Sequence, residues 1–260
     1  MTHKFRPGIS QPIRHIIFKN SRKGILLLHG FTATPECFQF LAQKLSDQKL
    51  SVYAPILAGH GTKAEDLEKT KWGDWYETAK NSLKELQGYC DSVSVLGLSM
   101  GGLLALHLAH EHPEIKSVSL LATPLFLDGF LLRYLFPLIW KTPLKYLYRY
   151  QRKYVASIKD PSAQRKYQTY EKIPVASVAN LLDLQKKVRQ ELYGIKQPTF
   201  IAHALDDSTV PYANMDYIAS CIGSKIVETL TLKKSNHIIT VDYDKEEVAK
   251  RVLRFLKRFF

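Results

Sequence analysis

Short apolar runs alternate along the chain with longer stretches in which apolar residues recur at helical spacing. The run GILLLH is apolar on both faces, which is typical of a strand in a parallel sheet that is covered by helices on both sides. Six further runs are rich in β-branched and other apolar residues. The pattern predicts strands at Ile13–Phe18, Gly24–His29, Leu50–Ala54, Ser92–Gly97, Val118–Ala122, Thr199–Ala204 and Ile226–Leu232.

Helical spacing predicts helices at Pro35–Leu45, Trp75–Leu86, Met100–His110, Tyr212–Cys221 and Lys245–Phe259. Asp244 is in position to cap the last of these, with Glu247 three positions on. Strands that alternate with helices in this way indicate a doubly wound α/β fold with a mostly parallel sheet. At 260 residues the chain is long enough to bury a full core as one domain, residues 1–260, with room for an insertion.

The alternation breaks between Pro124 and about Pro174, where no convincing strand is found. Phe126–Tyr150 is crowded with aromatic residues and leucines, but its apolar part is too short and too interrupted to span a bilayer. We predict a small helical insertion at about 124–174, after the fifth or sixth strand, that packs over the sheet as a lid.

The formal net charge is +13 at pH 7. Basic residues are spread along the whole chain and no nucleic-acid-binding pattern accompanies them, so nucleic acid is not expected as a partner. An anionic membrane surface is the better hypothesis, because the insertion interleaves basic side chains with apolar ones. The basic positions are Arg133, Lys141, Lys145, Arg149, Arg152 and Lys153. The oligomeric state stays open.

The three cysteines, Cys37, Cys90 and Cys221, are odd in number and widely spaced, without the C-x-x-C spacing of metal or redox sites. Free thiols in a reducing compartment are the simplest interpretation. No early segment combines a basic start, an apolar middle and a small-residue cleavage site. We therefore expect a cytoplasmic protein.

A serine stands between glycines where a predicted strand becomes a predicted helix. Gly97-Leu98-Ser99-Met100-Gly101 matches G-x-S-x-G in the strand–turn–helix setting that this motif requires. The glycines let strand and helix approach without Cβ clashes, and the helix N-terminus favours developing negative charge beside the hydroxyl. We predict that Ser99 is a nucleophile.

A nucleophilic serine needs a base and a group that orients the base, in the chain order Ser, Asp or Glu, His. Asp207, in the acidic loop after the strand Thr199–Ala204, is the predicted orienting acid, with Asp206 as the alternative because spacing alone does not separate adjacent acids. His237 lies in the loop between the last strand and the last helix. We predict that it is the general base.

Acyl transfer also needs donors for the oxyanion. The backbone N–H of Met100, directly after the nucleophile, is one predicted donor. The second is the N–H of Phe31, in the loop after Gly24–His29, where Gly30 allows the unusual backbone geometry.

The other histidines have structural interpretations. His29 is expected to form structural hydrogen bonds, His60 to brace a loop near the site, and His203 to be a hydrogen-bonded core residue. A cluster lies on the helix after Ser99, but we expect no metal there, since no carboxylate pair completes a site. Its members are His107, His110 and His112.

Six motifs occur in one order over nearly the whole chain: LLLHGF (Leu26–Phe31), LAGHGT (Leu57–Thr62), WGDWYE (Trp72–Glu77), GLSMGG (Gly97–Gly102), LDDSTVP (Leu205–Pro211) and SNHIITVDYD (Ser235–Asp244). With them the chain resembles the α/β-hydrolase superfamily, and within it the bacterial carboxylesterases and monoacylglycerol lipases. The resemblance implies Ser99, Asp207 and His237 as a catalytic triad, and Phe31 and Met100 as oxyanion donors. It also implies that no cofactor is used and that an ester binds beneath the helical lid.

The expected activity is hydrolysis of carboxylic esters, either short- to medium-chain acyl esters or monoacylglycerols, through an acyl-enzyme. We expect Phe31 to line the substrate site together with Leu125, Phe126, Val210 and Ile238. A thioesterase or lysophospholipase on the same scaffold is the alternative, and a non-catalytic, ligand-binding homologue is a third possibility. The excess apolar surface of the insertion either lines the acyl pocket or faces lipid.

Overall fold

The computed structural model describes residues 14–127, 142, 149–152 and 157–260. Its strands are β1 (Ile16–Phe18), β2 (Lys23–Leu28), β3 (Ser51–Ala54), β4 (Ser92–Leu98), β5 (Val118–Leu121), β6 (Tyr150–Arg152), β7 (Lys172–Pro174), β8 (Thr199–Ala204) and β9 (Val227–Leu232). Within these residues, seven strands form one sheet in the order β1-β3-β2-β4-β5-β8-β9. Only β1 in that sheet runs antiparallel to its neighbour, β3.

The helices of the described residues are α1 (Gln39–Asp47), α2 (Ala64–Glu68), α3 (Trp72–Gln87), α4 (Met100–Glu111), α5 (Pro161–Lys166), α6 (Val175–Glu191), α7 (Ala213–Cys221) and α8 (Lys245–Leu256). Short 3-10 turns precede α1 at Pro35–Phe38 and follow α6 at Leu192–Gly194. Strand β2 shows why helices cover both faces of the sheet. Ile25 and Leu27 pack with α1 and α8, while Leu26 and Leu28 pack with α3, α4 and α6.

The seven predicted strands and five predicted helices are confirmed, with ends that shift by a few residues. Neither α2 nor α6 was predicted. The cap at the start of α8 was predicted wrongly. Asp244 does not cap α8 with its side chain, because its carboxylate accepts hydrogen bonds from the N–H groups of Lys234 and Ser235, both at 2.9 Å.

The stretch that was expected to lack strands holds a small antiparallel ribbon, in which β6 pairs with β7. Each strand has only three residues, mostly half-buried or exposed, and such short strands leave no readable hydrophobic pattern. The ribbon is tied to α2 by two ion pairs. Arg149 contacts Glu68 at 2.6 Å, and Lys172 contacts Glu65.

Much of the predicted lid lies outside the described residues, at 128–141, 143–148 and 153–156. The basic positions Arg133, Lys141, Lys145 and Lys153 are among them. Arg149 is described, and its guanidinium forms two hydrogen bonds to Glu68, at 2.6 and 2.7 Å. Among the helices of the described part of the chain, none has the length and apolarity that crossing a bilayer requires.

Candidate active site

Ser99 occupies a strained turn between β4 and α4. Its φ of 54° lies in the left-handed region, which is unusual for a residue with a side chain and typical of functional turns. A Cβ on Gly97 would lie 2.1 Å from the carbonyl oxygen of Gly101, and one on Gly101 would lie 1.8 Å from that of Leu28. Only glycine at both positions allows α4 to pack this closely on the sheet.

Three side chains from three loops form one hydrogen-bond chain. The Ser99 Oγ lies 2.9 Å from His237 Nε2, and His237 Nδ1 lies 2.8 Å from Asp207 Oδ2. Asp206, the alternative acid, lies elsewhere: its Oδ2 pairs with the Lys159 ammonium at 2.9 Å, and its side chain is 63% exposed. The structure therefore brings together Ser99, His237 and Asp207, and separates Asp206 from them.

The Asp207 carboxylate is fully buried and richly hydrogen-bonded. Its Oδ1 accepts from the N–H groups of Thr209 and Val210, at 2.8 and 2.9 Å, while His203 Nε2 lies 3.1 Å from Oδ2. Burial by itself raises the pKa of Asp207, but the hydrogen bonds from His203, His237 and Val210 outweigh it and hold that pKa well below its usual range. The acid therefore stays ionised beside the imidazole of His237.

His203 is the site residue whose role sequence reasoning missed. It is a fully buried, hydrogen-bonded residue of β8, as expected, and its Nε2 lies 3.1 Å from the Val210 carbonyl oxygen. Its contact with Asp207 was not foreseen. One feature of the sequence could have indicated this contact. His203 lies near the end of β8, and the loop that follows β8 carries Asp207.

The two predicted oxyanion donors lie on segments that adjoin the nucleophile. A Cβ on Gly30 would lie 3.2 Å from the Ser99 Cβ and 3.8 Å from its Oγ, so the loop that carries Phe31 runs directly against the serine. Met100 is the first residue of α4, and the first N–H groups of a helix have no acceptor within it. Both predicted donors thus belong to segments that lie beside Ser99.

His29 and His60 form a buried pair behind this loop, with ring centroids 5.1 Å apart. Burial lowers the pKa of His29 to about 3 and that of His60 to about 4, so both imidazoles are neutral. His29 accepts from the Leu57 N–H at 3.1 Å through Nε2 and donates to the Gly30 carbonyl through Nδ1 at 3.0 Å. His29 thus links the Phe31 loop to the segment after β3, and His60 packs beside it.

The five predicted substrate-site residues fall into two groups. Phe31 and Phe126 pack against the apolar cluster that contains Leu125. Val210 is buried beside the acid, and Ile238, next to the base, packs in the cluster on the other face of the sheet. Val210 and Ile238 thus belong to the loops that carry Asp207 and His237.

The reason given against a metal near His107 was wrong. The fold brings Glu111 and Glu191 to His107, with one ligand atom of each within 4.8 Å of the others. His107 Nδ1 lies 2.8 Å from Glu191 Oε2, and the Lys187 ammonium lies 3.0 Å from Glu191 Oε1. Since the Lys187 ammonium already pairs with Glu191, this cluster is better described as a partly buried network of paired side chains, and the absence of a metal stays a prediction.

Comparison with known proteins identifies relatives over more than nine-tenths of the chain. Residues 19–244 match the family described as "Serine aminopeptidase, S33". A thermostable monoacylglycerol lipase of Bacillus sp. (strain H-257) is 33% identical over 244 residues, which cover 92% of each chain. A carboxylesterase of Bacillus subtilis (strain 168) is 28% identical and covers 93% of this chain and 95% of its own.

Solved structures share the architecture. A structure from a study of LipS and LipT, two metagenome-derived lipolytic enzymes, superposes with a TM-score of 0.88 at 27% identity, covering 95% of this chain and 98% of its own. The monoacylglycerol lipase of Paleococcus ferrophilus superposes with a TM-score of 0.81 at 17% identity, covering 96% of this chain and all of its own. At that identity the second likeness concerns the fold alone.

Proposed function

Because the chain belongs to the serine aminopeptidase S33 family of α/β-hydrolases, we propose that Ser99, His237 and Asp207 are the nucleophile, base and orienting acid of its reaction. The chain is an ester hydrolase of the carboxylesterase and lipase kind. The observation that carries the assignment is the hydrogen-bond chain from Ser99 Oγ through His237 to Asp207, with links of 2.9 and 2.8 Å.

The geometry supports the following mechanism. His237 Nε2 takes the proton of Ser99 as Oγ attacks the ester carbonyl carbon, and Asp207 holds the tautomer with Nδ1–H and stabilises the imidazolium. The N–H groups of Phe31 and Met100 stabilise the tetrahedral oxyanion. His237 then gives its proton to the departing alcohol, and a water activated by the same base hydrolyses the acyl-enzyme. These steps need no cofactor.

For the substrate we propose a monoacylglycerol or an ester with a short to medium acyl chain. Two relatives that align over most of this chain are named a monoacylglycerol lipase and a carboxylesterase. Phe31 and Phe126 are partly buried and pack against the apolar cluster that contains Leu125, so they are the apolar side chains that we propose for contact with an acyl chain. We propose that residues 124–174 form the cover of this site within a single domain.

The proposed reaction is tested by the mass of the intact protein after exposure to p-nitrophenyl esters of increasing acyl length. We expect each accepted ester to add one acyl group on Ser99, and 1-monoacylglycerols to be hydrolysed with release of glycerol. His237→Ala is the control, because without the base Ser99 should not be acylated. Faster turnover of acyl-CoA thioesters, lysophospholipids or aminoacyl p-nitroanilides than of any carboxylic ester would contradict the proposed substrate.

We propose a cytoplasmic location, with peripheral contact to anionic membranes rather than to nucleic acid. The net charge of +13 supports electrostatic attraction to an anionic surface. Cys37, Cys90 and Cys221 are free thiols, which fits a reducing compartment. The basic residues expected to meet anionic headgroups are Arg133, Lys141, Lys145 and Arg149. Arg149 pairs with Glu68, so we assign the contact to the other three.

Sedimentation with vesicles checks this contact. We expect binding to vesicles that contain anionic lipid at low salt, and loss of binding at high salt, because salt screens charges. Replacing Arg133, Lys141 and Lys145 together with glutamine should weaken binding on the order of 100-fold, at about 1 kcal/mol for each basic residue. Arg149→Gln is the matched control and should bind like the parent. Equal, negligible binding to anionic and zwitterionic vesicles would refute membrane contact.

A further inference from the structure

Asp242 is a fully buried carboxylate that the proposed reaction does not use. Its Oδ2 accepts hydrogen bonds from the N–H groups of Lys159 at 2.9 Å and Asn236 at 2.8 Å. Its Oδ1 accepts from those of Asp160 and Tyr243, both at 2.9 Å. Four backbone donors from two distant parts of the chain thus converge on one side chain.

These four donors explain why a carboxylate occupies a buried position. An ionised group is stable away from water only when its charge is met by hydrogen bonds or a partner charge. Each oxygen of Asp242 receives one N–H from the 157–160 segment and one from the stretch after β9. An amide in its place would turn an NH₂ group toward two N–H donors, so asparagine cannot reproduce this arrangement.

The two segments that Asp242 joins are the loop of the proposed base and the segment at 157–160. Asn236, whose N–H is held by Asp242, directly precedes His237 and accepts the His237 N–H through its Oδ1 at 2.8 Å. The residue after the base is held from the same segment, since the Ile238 N–H donates to the Ser157 carbonyl at 3.3 Å. Backbone groups on both sides of His237 therefore depend on contacts with Asp242 or Ser157.

The same loop is also tied to the loop of the acid. The Asn236 Oδ1 that accepts from the His237 N–H accepts a second hydrogen bond from the Ser208 N–H at 2.9 Å, one residue after Asp207. Asn236 thus joins the base loop to the acid loop, and Asp242 fixes the backbone of Asn236.

We propose that Asp242 is a positioning residue for His237, and that it makes residues 157–160 part of the support that holds the imidazole between Ser99 and Asp207. The inference rests on the proposed role of His237 as the base. A displacement of a reacting group by about 1 Å lowers a rate on the order of 100-fold. Loss of this support displaces the His237 imidazole and therefore lowers the rate of the chemical step. Substrate contacts are left in place, so the loss falls on kcat rather than on KM.

Asp242→Asn tests the proposal against Asp244→Asn, a matched control in the same stretch of chain. The Asp244 carboxylate also accepts two backbone N–H groups, but from Lys234 and Ser235, so it touches neither Asn236 nor the 157–160 segment. We expect Asp242→Asn to lower kcat for a p-nitrophenyl ester by about 10- to 100-fold with KM within about twofold of the parent. Asp244→Asn should keep a kcat within about twofold of the parent. Equal kcat values for the two variants, both folded, would overturn the proposal.

A second pair of variants serves if Asp242→Asn does not fold. The φ of Asp160 is −68°, which proline adopts without strain, and Asp160→Pro removes the N–H that Asp242 accepts. Asp160→Ala keeps that N–H and loses only the side-chain cap on Ser162 and Ala163. We expect Asp160→Pro to have a kcat about tenfold below that of Asp160→Ala, with unchanged KM and faster hydrogen exchange at Asn236–Ile238. Identical kcat and exchange in the two variants would contradict the role of this segment.

The outcomes separate this inference from the proposed function. If Ser99→Ala or His237→Ala keeps ester hydrolysis, the proposed function itself fails. If both lose it while Asp242→Asn and Asp160→Pro keep the parent kcat, only the positioning role of Asp242 fails.

Discussion

Ser99→Ala is expected to lose ester hydrolysis by on the order of 10⁴- to 10⁶-fold in kcat while the protein stays folded. The substitution removes one oxygen, which is the attacking atom of the proposed reaction. Alanine keeps the Cβ, so the turn with φ 54° is no more strained than before. The Ser99 hydroxyl forms a hydrogen bond to His237 at 2.9 Å, and losing it changes the free energy of unfolding by only about 1 kcal/mol.

The measurement is kcat on a p-nitrophenyl ester together with the thermal unfolding temperature. Ser94→Ala provides a control within the same strand, β4, because the Ser94 hydroxyl is buried against that of Ser117 at 2.8 Å, away from the site. Ser94→Ala should lose stability and keep its turnover, whereas Ser99→Ala should stay folded and lose its turnover. Near-normal turnover in folded Ser99→Ala would remove Ser99 from the mechanism.

The fold was largely readable because its signals are local. Runs such as Ile25–Leu28 are apolar on both faces, and helix α4 begins at the recognisable turn around Ser99. The ribbon of β6 and β7 was not readable, since it forms through contacts between residues about 20 positions apart in strands of three residues. The cap on α8 was misread because Asp244 hydrogen-bonds to the preceding loop instead.

For the candidate site, the sequence predicted which three side chains come together but not the residues that support them. The chain order of Ser99, Asp207 and His237 and their places at strand ends predicted that the three would converge, because the carboxyl ends of parallel strands meet at one edge of a sheet. The contacts of His203 with Asp207 and of Asp242 with Asn236 had no comparable signal. These supporting contacts depend on how the loops run in three dimensions. The spacing of residues along a single sequence does not predict that path.

Asp207→Asn should lower kcat by on the order of 10⁴-fold without unfolding the protein. The N–H groups of Thr209 and Val210 both point at Asp207 Oδ1, so the amide oxygen of asparagine will take that position. Its NH₂ group then faces His237 Nδ1, which must accept instead of donate. The proton of the neutral imidazole moves to Nε2, and Nε2 can no longer accept the proton of Ser99.

Asp206→Asn is the matched control, because it makes the same change one residue earlier. It removes an ion pair with Lys159 at 2.9 Å on an exposed side chain, which is worth at most about 1 kcal/mol of stability. Its kcat should stay within about twofold of the parent, because Asp206 has no part in orienting His237. Kinetics on one p-nitrophenyl ester, with unfolding temperatures for both variants, decides between the two acids. If Asp206→Asn has the large loss of kcat and Asp207→Asn the small one, the contact at 2.8 Å between Asp207 and His237 does not orient the base. The proposed mechanism would then need Asp206 as the orienting acid.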